Sequence, residues 1–131
     1  MAYYLDTSAL VKLVVAEAET AALQGWLAAS DRQPVSCDLV RTELLRAVRR
    51  TDPSLAVPAR AVLDAITLLE VTTRHFDAAG RLDPTILRTL DAIHLAAALD
   101  LGDDLEGLVS YDERLAEAAR ANGVPVVTPA A

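Results

Sequence analysis

The chain contains 131 residues, of which 53% are hydrophobic and 24% are charged, and its formal net charge is −7. This composition fits one folded domain over 1–131 and excludes disorder as the main description, because disordered chains have low hydrophobicity. A single cysteine, Cys37, beside two histidines, His75 and His94, excludes a disulfide framework and a structural zinc finger, while the acidic charge excludes bulk electrostatic binding of nucleic acid.

The N-terminal segment has none of the features of an export signal. Met1 to Asp6 lacks a basic region followed by a long apolar stretch. No apolar run elsewhere approaches the roughly 18 residues that a membrane span requires. We therefore expect a cytoplasmic protein that makes no contact with membranes.

Short strands and helices alternate along the first half of the chain. Tyr3 to Leu5 is an apolar run that predicts a strand, and Leu10, Leu13 and Val14 follow at helical spacing. Asp38 is a candidate N-cap for a later helix. The predicted elements of this half are a strand at 3–5, helices at 8–16 and 19–30, a strand at 35–36, helices at 38–50 and 55–65, and a strand at 68–71.

The second half repeats this alternation. Residues 90–101 are apolar around most of the helical circumference, which predicts a helix buried on several sides and ended by Gly102. The predicted elements here are helices at 73–81, 90–101 and 113–122, with strands at 108–109 and 126–127. Such alternation predicts an α/β fold in which a mostly parallel sheet of four or five short strands is covered on both faces by six or seven helices.

Four carboxylates occupy positions where active sites form in folds of this class. Asp6 follows the first strand and Asp112 follows the strand at 108–109. Because the carboxyl ends of parallel strands meet at one edge of a sheet, these two acids are expected at the same edge. Glu43 lies in the first turns of a helix, and Asp91 lies at the amino end of the buried helix.

Converging carboxylates repel one another unless a cation lies between them. A set of oxygen ligands without histidine or cysteine favours Mg²⁺ or Mn²⁺ over zinc. These cations support phosphodiester hydrolysis, because they activate water and stabilise the leaving oxygen. The alternative is that each acid simply caps a helix or is solvated, as Asp and Glu commonly are at such positions.

Four segments resemble the motifs of PIN-domain ribonucleases, in the order of that family and over nearly the whole chain. They are residues 4–10, 43–47, 90–98 and 109–115, and residues 123–127 resemble the closing strand. Within the family, the compact length most resembles the toxin of a VapBC-type toxin–antitoxin pair. The resemblance implies a three-layer α/β sandwich.

The resemblance also implies an endoribonuclease that depends on Mg²⁺ or Mn²⁺. It assigns the acidic metal site to Asp6, Glu43, Asp91 and Asp112, and it assigns supporting roles to Ser110, Thr7 and Ser8. It further implies a homodimer that is neutralised by a small cognate antitoxin, which blocks the active site.

Other polar residues allow two interpretations. Arg46, Arg49 and Arg50 follow Glu43 and form either a rim that binds RNA phosphates or a solvated helix end, where cations interact favourably with the helix dipole. His94 lies one helical turn from Asp91, and we expect a packed histidine there rather than a general base.

His75 and Cys37 are the two remaining residues that could carry out chemistry, and neither has a nearby residue in the sequence that would support catalysis. We expect His75 at the surface, because it lies near a predicted helix start. We expect Cys37 to be buried, since nothing near it supports nucleophilic catalysis.

Three other functions compete with the ribonuclease interpretation. A phosphorelay receiver needs an acidic pair after the first strand and a late lysine, but Asp6 has no acidic neighbour and Lys12 is the only lysine. A haloacid-dehalogenase phosphatase needs an Asp where this chain has Ser8. A non-catalytic PIN-like module that binds metal or RNA stays open as the alternative.

Overall fold

One parallel sheet forms the centre of the molecule, in a computed structural model that describes residues 2–29 and 31–130. Its strands are β1 (Ala2–Leu5), β2 (Gln33–Cys37), β3 (Thr67–Leu69), β4 (Leu105–Val109) and β5 (Val126–Val127). All the described strand pairs are parallel, and the strand order is β3-β2-β1-β4-β5. The first strand of the chain therefore lies in the middle of the sheet.

Helices occupy most of the rest of the described chain. They are α1 (Thr7–Val14), α2 (Thr20–Ala28), α3 (Leu39–Thr51), α4 (Ala56–Ala65), α5 (Thr73–Gly80), α6 (Thr89–Leu99) and α7 (Glu113–Ala121). No helix of the described residues has the length and hydropathy needed to cross a membrane. The predicted α/β class, the parallel sheet and the numbers of strands and helices are confirmed.

Successive side chains of the central strands enter two separate cores on opposite faces of the sheet. Tyr4 and Leu108 belong to the core that α6 and α7 cover, whereas Leu5 and Val109 belong to the core under α1, α3 and α4. All four side chains are fully buried, and burial of one large aliphatic side chain contributes roughly 1.5–3 kcal/mol. The result is a layer of helices, a sheet and a second layer of helices.

The strand boundaries differ from the sequence predictions because pairing with neighbours decides them. β2 begins at Gln33 and includes Pro34, which is tolerated because β3 pairs with β2 only from Val35 onwards. β3 ends at Leu69 rather than at residue 71, because its partner β2 ends at Cys37 and offers no further residues to pair with.

Two helix predictions also need correction. Asp38 occupies the N-cap position of α3, but its side chain makes no capping hydrogen bond and instead accepts one from Arg41 Nε at 2.9 Å. The backbone of Asp38 is already helical, whereas a capping side chain requires an extended backbone. Helix α2 ends at Ala28, and the predicted end at Ser30 lies outside the described residues.

Candidate active site

Asp6 lies between the end of β1 and the start of α1, at the carboxyl edge of the sheet. Its side chain is only 3% exposed, and it caps α1 by accepting a hydrogen bond from the N–H of Ala9 at 3.0 Å. The hydroxyl groups of Ser8 and Ser110 each donate to one carboxylate oxygen at 2.6 Å. Burial raises the pKa of Asp6, and these three hydrogen bonds oppose the rise because they stabilise the charged carboxylate.

The same two serines join the end of β1 to the end of β4. Ser8 Oγ accepts a hydrogen bond from the N–H of Tyr111 at 2.9 Å, and Ser110 Oγ accepts one from the N–H of Asp112 at 3.0 Å. The Asp112 side chain then caps α7, because its Oδ1 accepts hydrogen bonds from the next turn of backbone. Asp6 and Asp112 are thus both N-caps of helices that follow central strands, Asp6 directly after β1 and Asp112 three residues after the end of β4.

Glu43 is held by two donors that come from different elements. Thr7 Oγ1 donates to Glu43 Oε1 at 2.9 Å, and His94 Nε2 lies 2.6 Å from the same oxygen. Burial raises the pKa of Glu43, but the contacts with His94 and Thr7 outweigh it, so the pKa is lowered. Glu43 is therefore maintained as a carboxylate.

His94 is almost fully buried behind Glu43. It is packed as expected, but it also lies on the site, because its Nδ1 lies 2.7 Å from the hydroxyl oxygen of Tyr4. Burial alone would lower the pKa of His94, yet hydrogen bonds with Cys37 and Glu43 raise it to about 10. Nε2 of His94 is thus placed to donate to Glu43, while Nδ1 faces the hydroxyl of Tyr4 and the thiol of Cys37. Cys37 is buried and free, as predicted.

Asp91 lies in the first turn of α6, where its side chain is half-buried. Burial raises its pKa, and so do the negative charges of the three other predicted acids, namely Asp112, Asp6 and Glu43. The charge of His94 acts in the opposite direction. Asp91 and Asp112 line the same cleft, Ser110 links Asp112 to Asp6, and Thr7 links Glu43 to the segment that begins with Asp6, so the four predicted carboxylates lie in one region.

An open cleft of about 420 Å³ lies beside these acids and is lined by Asp91 and Asp112. Within residues 2–29 and 31–130, no three Asp, Glu, His or Cys side chains are drawn together as a ready-made metal site. The donor set nevertheless fits Mg²⁺ or Mn²⁺, because the candidate ligands are carboxylate oxygens with an excess of negative charge. Mg²⁺ keeps several waters and binds one or two carboxylates directly, which an open cleft allows.

The predicted supporting residues and the predicted basic rim occupy different places. Ser8 and Ser110 contact Asp6, and Thr7 contacts Glu43. Arg46, Arg49 and Arg50 are exposed on the C-terminal half of α3, and they do not line the cleft beside Asp91. The basic side chains that do line it are Arg88 and Arg114, which sequence reasoning missed although they lie three residues before Asp91 and two residues after Asp112.

His75 is buried rather than at the surface, so the expectation for it was wrong. Its Nδ1 accepts a hydrogen bond from the N–H of Thr72 at 3.0 Å, in a capping box that begins α5. Its Nε2 lies 2.9 Å from Asp100. A threonine three residues before the histidine was the signal available in the sequence.

Known proteins are similar to this chain over nearly its whole length. The PIN domain profile matches residues 3–121. Ribonuclease VapC46 of Mycobacterium tuberculosis is 46% identical over 129 residues, which cover 98% of this chain and 98% of that protein. At these values the similarity extends from the first strand to the last.

Two solved structures share the fold. The crystal structure of Mycobacterium tuberculosis VapC20, a toxin that cleaves the sarcin–ricin loop, has a TM-score of 0.78 at 20% identity and covers 97% of this chain and 99% of its own. A toxin–antitoxin complex from Klebsiella pneumoniae has a TM-score of 0.69 at 20% identity, with 97% of each chain covered. Identities this low establish a common fold and no more.

Proposed function

The chain belongs to the PIN-domain family, and from this we propose that it is an endoribonuclease that hydrolyses RNA phosphodiester bonds with Mg²⁺ or Mn²⁺. The observation that carries the proposal is the grouping of the four acids: Ser110 contacts both Asp6 and the backbone of Asp112, Thr7 holds Glu43, and Asp91 and Asp112 line one open cleft. The 46% identical relative bears the name ribonuclease, which supports the same activity.

The four carboxylates are the residues that would hold the cation. When bound, the cation would lower the pKa of an attacking water and offset charge on the phosphate. The chain itself fixes the ligands: Ser8 and Ser110 orient Asp6, while His94 orients Glu43 from the buried side. Ligands that are already oriented by hydrogen bonds need less reorganisation when the cation and the RNA bind.

We also propose that the protein is the toxin of a type II toxin–antitoxin pair and acts in the cytoplasm with a cognate antitoxin. The VapC name of the relative and the shared fold with the Klebsiella pneumoniae complex support this role. We propose a homodimer as well, since Phe76 on α5 and Leu90 on α6 are large apolar residues that are each about half exposed. Arg46, Arg49 and Arg50 stay candidates for contacts with RNA phosphates away from the cleft.

The test is RNA cleavage by the purified chain, free of antitoxin, with Mg²⁺ or Mn²⁺ and with EDTA. Asp91→Asn is the informative variant, because Asp91 caps no helix and its loss should leave the fold intact. We expect cleavage to require the cation and to fall by at least roughly 100-fold in this variant. Asp64→Asn, an exposed acid on α4, is the matched control and should cleave like the wild type.

Each result separates the proposal from its alternatives. Cleavage that survives both EDTA and Asp91→Asn would show that the four acids are not the site. RNA or Mn²⁺ binding without any cleavage would favour the alternative, a non-catalytic PIN-like module that binds metal or RNA.

A further inference from the structure

A second and larger cleft, of about 830 Å³, opens from the acidic site between the segment 83–88 and helix α7. Three side chains line both clefts, namely Arg88, Asp91 and Arg114. The two clefts therefore meet at Asp91, and the two arginines stand at their junction. This volume lies within the range of roughly 300–1,000 Å³ that is typical of sites for small organic groups.

We propose that this larger cleft binds the nucleotide next to the scissile phosphate of the RNA substrate. Arg88 and Arg114 hold the phosphate that enters it, and its base lies against the apolar wall beyond them. This assignment rests on the proposed ribonuclease function, and it names the part of the protein that contacts the substrate beside the cut.

At the junction two arginines stand beside one carboxylate, Asp91, whereas Asp83 and Glu117 lie elsewhere in the lining of the larger cleft. Among the described residues, neither Arg88 nor Arg114 has a carboxylate within 4.0 Å, whereas Arg41 and Arg74 are paired with Asp38 and Asp100. Most other arginines of the described residues also have no such carboxylate, so what distinguishes Arg88 and Arg114 is that they line both clefts, where an arriving anion can reach them. An RNA phosphate is such an anion, and arginine binds it through two parallel hydrogen bonds.

Helix stability does not explain the positions of these two arginines. Arg88 is the N-cap residue of α6, and Arg114 lies in the first turn of α7. The amino end of a helix carries the positive end of the dipole, so a cation there is unfavourable. Both arginines are therefore placed against the preference of their own helices.

The wall beyond the arginines fits a base. Ile86 is a large apolar side chain that is 89% exposed at the mouth of the cleft, and the buried Ala118 of α7 lies in the opposite wall. Asn122 donates hydrogen bonds to the carbonyl oxygens of Asp83 and Ala118, at 2.9 and 2.8 Å. These bonds tie the segment that carries Ile86 to α7, so the cleft is formed before any ligand binds.

The experiment compares Arg88→Ala and Arg114→Ala with Arg120→Ala, which removes an exposed arginine of the same helix α7 that lines neither cleft. The probe is a pool of RNA oligonucleotides of randomised sequence, cleaved with Mg²⁺ and read by sequencing of the cut ends. Binding of the same pool is measured by fluorescence anisotropy in Ca²⁺ at several salt concentrations.

We expect Arg88→Ala and Arg114→Ala each to lower kcat/KM and RNA affinity by roughly tenfold, and to reduce the salt slope by about 0.7 per arginine. Arg120→Ala should stay within about twofold of the wild type. Ile86→Ser should change the base preference at one position beside the cut, because it removes the apolar surface on which the base lies.

Four results would overturn the assignment. Equal RNA affinity of Arg88→Ala, Arg114→Ala and Arg120→Ala in Ca²⁺ would show that neither cleft arginine contacts the RNA, whether or not the RNA is cut. An unchanged base preference in Ile86→Ser would remove the base site. A kcat/KM of Arg88→Ala and of Arg114→Ala within about twofold of the wild type would show that neither arginine holds the phosphate. If the wild type cuts no RNA and the arginine variants bind RNA as the wild type does, both the proposed nucleotide site and the proposed ribonuclease activity are wrong.

Discussion

At the scale of single residues, two histidines in similar buried environments have different roles. His75 and His94 are both less than 10% exposed, and each lies within 3 Å of a carboxylate oxygen. His75 contacts Asp100 at the C-terminal end of α6 and fixes the start of α5. His94 contacts Glu43, one of the four acids, so only His94 connects the core to the candidate active site.

We predict that His94→Ala lowers RNA cleavage roughly 10–100-fold, because Glu43 loses the donor that orients it. The free energy of unfolding should fall by about 1.5–3 kcal/mol with the loss of a hydrogen bond to a charged group. Urea unfolding measures the second effect, and cleavage at a temperature where the variant is fully folded measures the first.

The matched control for this prediction is His75→Ala, which should destabilise the fold but leave cleavage per folded molecule unchanged. His94→Gln keeps an amide donor near Glu43 and should recover part of the activity. Wild-type cleavage by folded His94→Ala would mean that the Glu43 contact serves stability alone.

At the scale of secondary structure elements, two of the four acids also begin helices. Asp6 caps α1 and Asp112 caps α7, so loss of either side chain affects a helix start as well as the site. A capping role and a ligand role are compatible, because one carboxylate oxygen can accept more than one contact, as Asp6 Oδ1 does from Ser8 and Ala9. Structural and functional effects must therefore be separated by the choice of substitution.

We predict that Asp112→Asn keeps the stability of the wild type within about 0.5 kcal/mol, since Asn is as good an N-cap as Asp. Asp112→Ala should lose about 0.5–2 kcal/mol, because the N–H groups of Arg114 and Leu115 lose their acceptor. Both variants lose the charge and should cleave RNA more slowly. Thermal unfolding with cleavage assays on the same samples tests this, and an active Asp112→Asn would remove Asp112 from the metal site.

Sequence periodicity was sufficient for the order and type of the elements, because each strand and helix carries its own apolar pattern. It did not give the ends of β2 and β3, which depend on where a neighbouring strand stops. The four acids could be selected from the sequence as candidates because they follow strands or lie in the first turns of helices. The contact between His94 and Glu43 was not, since it joins residues 51 positions apart and no local pattern reports it. The positions of Arg88 and Arg114 depend equally on the path of the segment 83–88 across α7.

At the scale of the whole molecule, net charge opposes the proposed substrate. The chain carries a net charge of −7, and two of the four predicted acids, Asp91 and Asp112, line the cleft beside the candidate site. RNA is therefore repelled over most of the approach. In the proposed function, a cation must neutralise the carboxylates before Arg88 and Arg114 can bind the RNA phosphate.

We predict that RNA binds at least about tenfold more weakly in EDTA than in millimolar Ca²⁺, which takes oxygen ligands as Mg²⁺ does. Fluorescence anisotropy with a short RNA oligonucleotide, at matched ionic strength, provides the measurement. Asp91→Asn should reduce the difference between the two conditions, because it removes one ligand. Equal affinity in EDTA and Ca²⁺ would show that the basic side chains bind RNA without a cation.

The central position of β1 has a consequence for the chain while it is being translated. β1 pairs with β2 once residue 37 has emerged, but its other neighbour, β4, begins at Leu105. Until then one edge of β1 stays open on the ribosome, and Ser110 does not yet exist to donate to Asp6. All four carboxylates can come together only after residues 105–112 have been translated, so translation itself delays the assembly of the site.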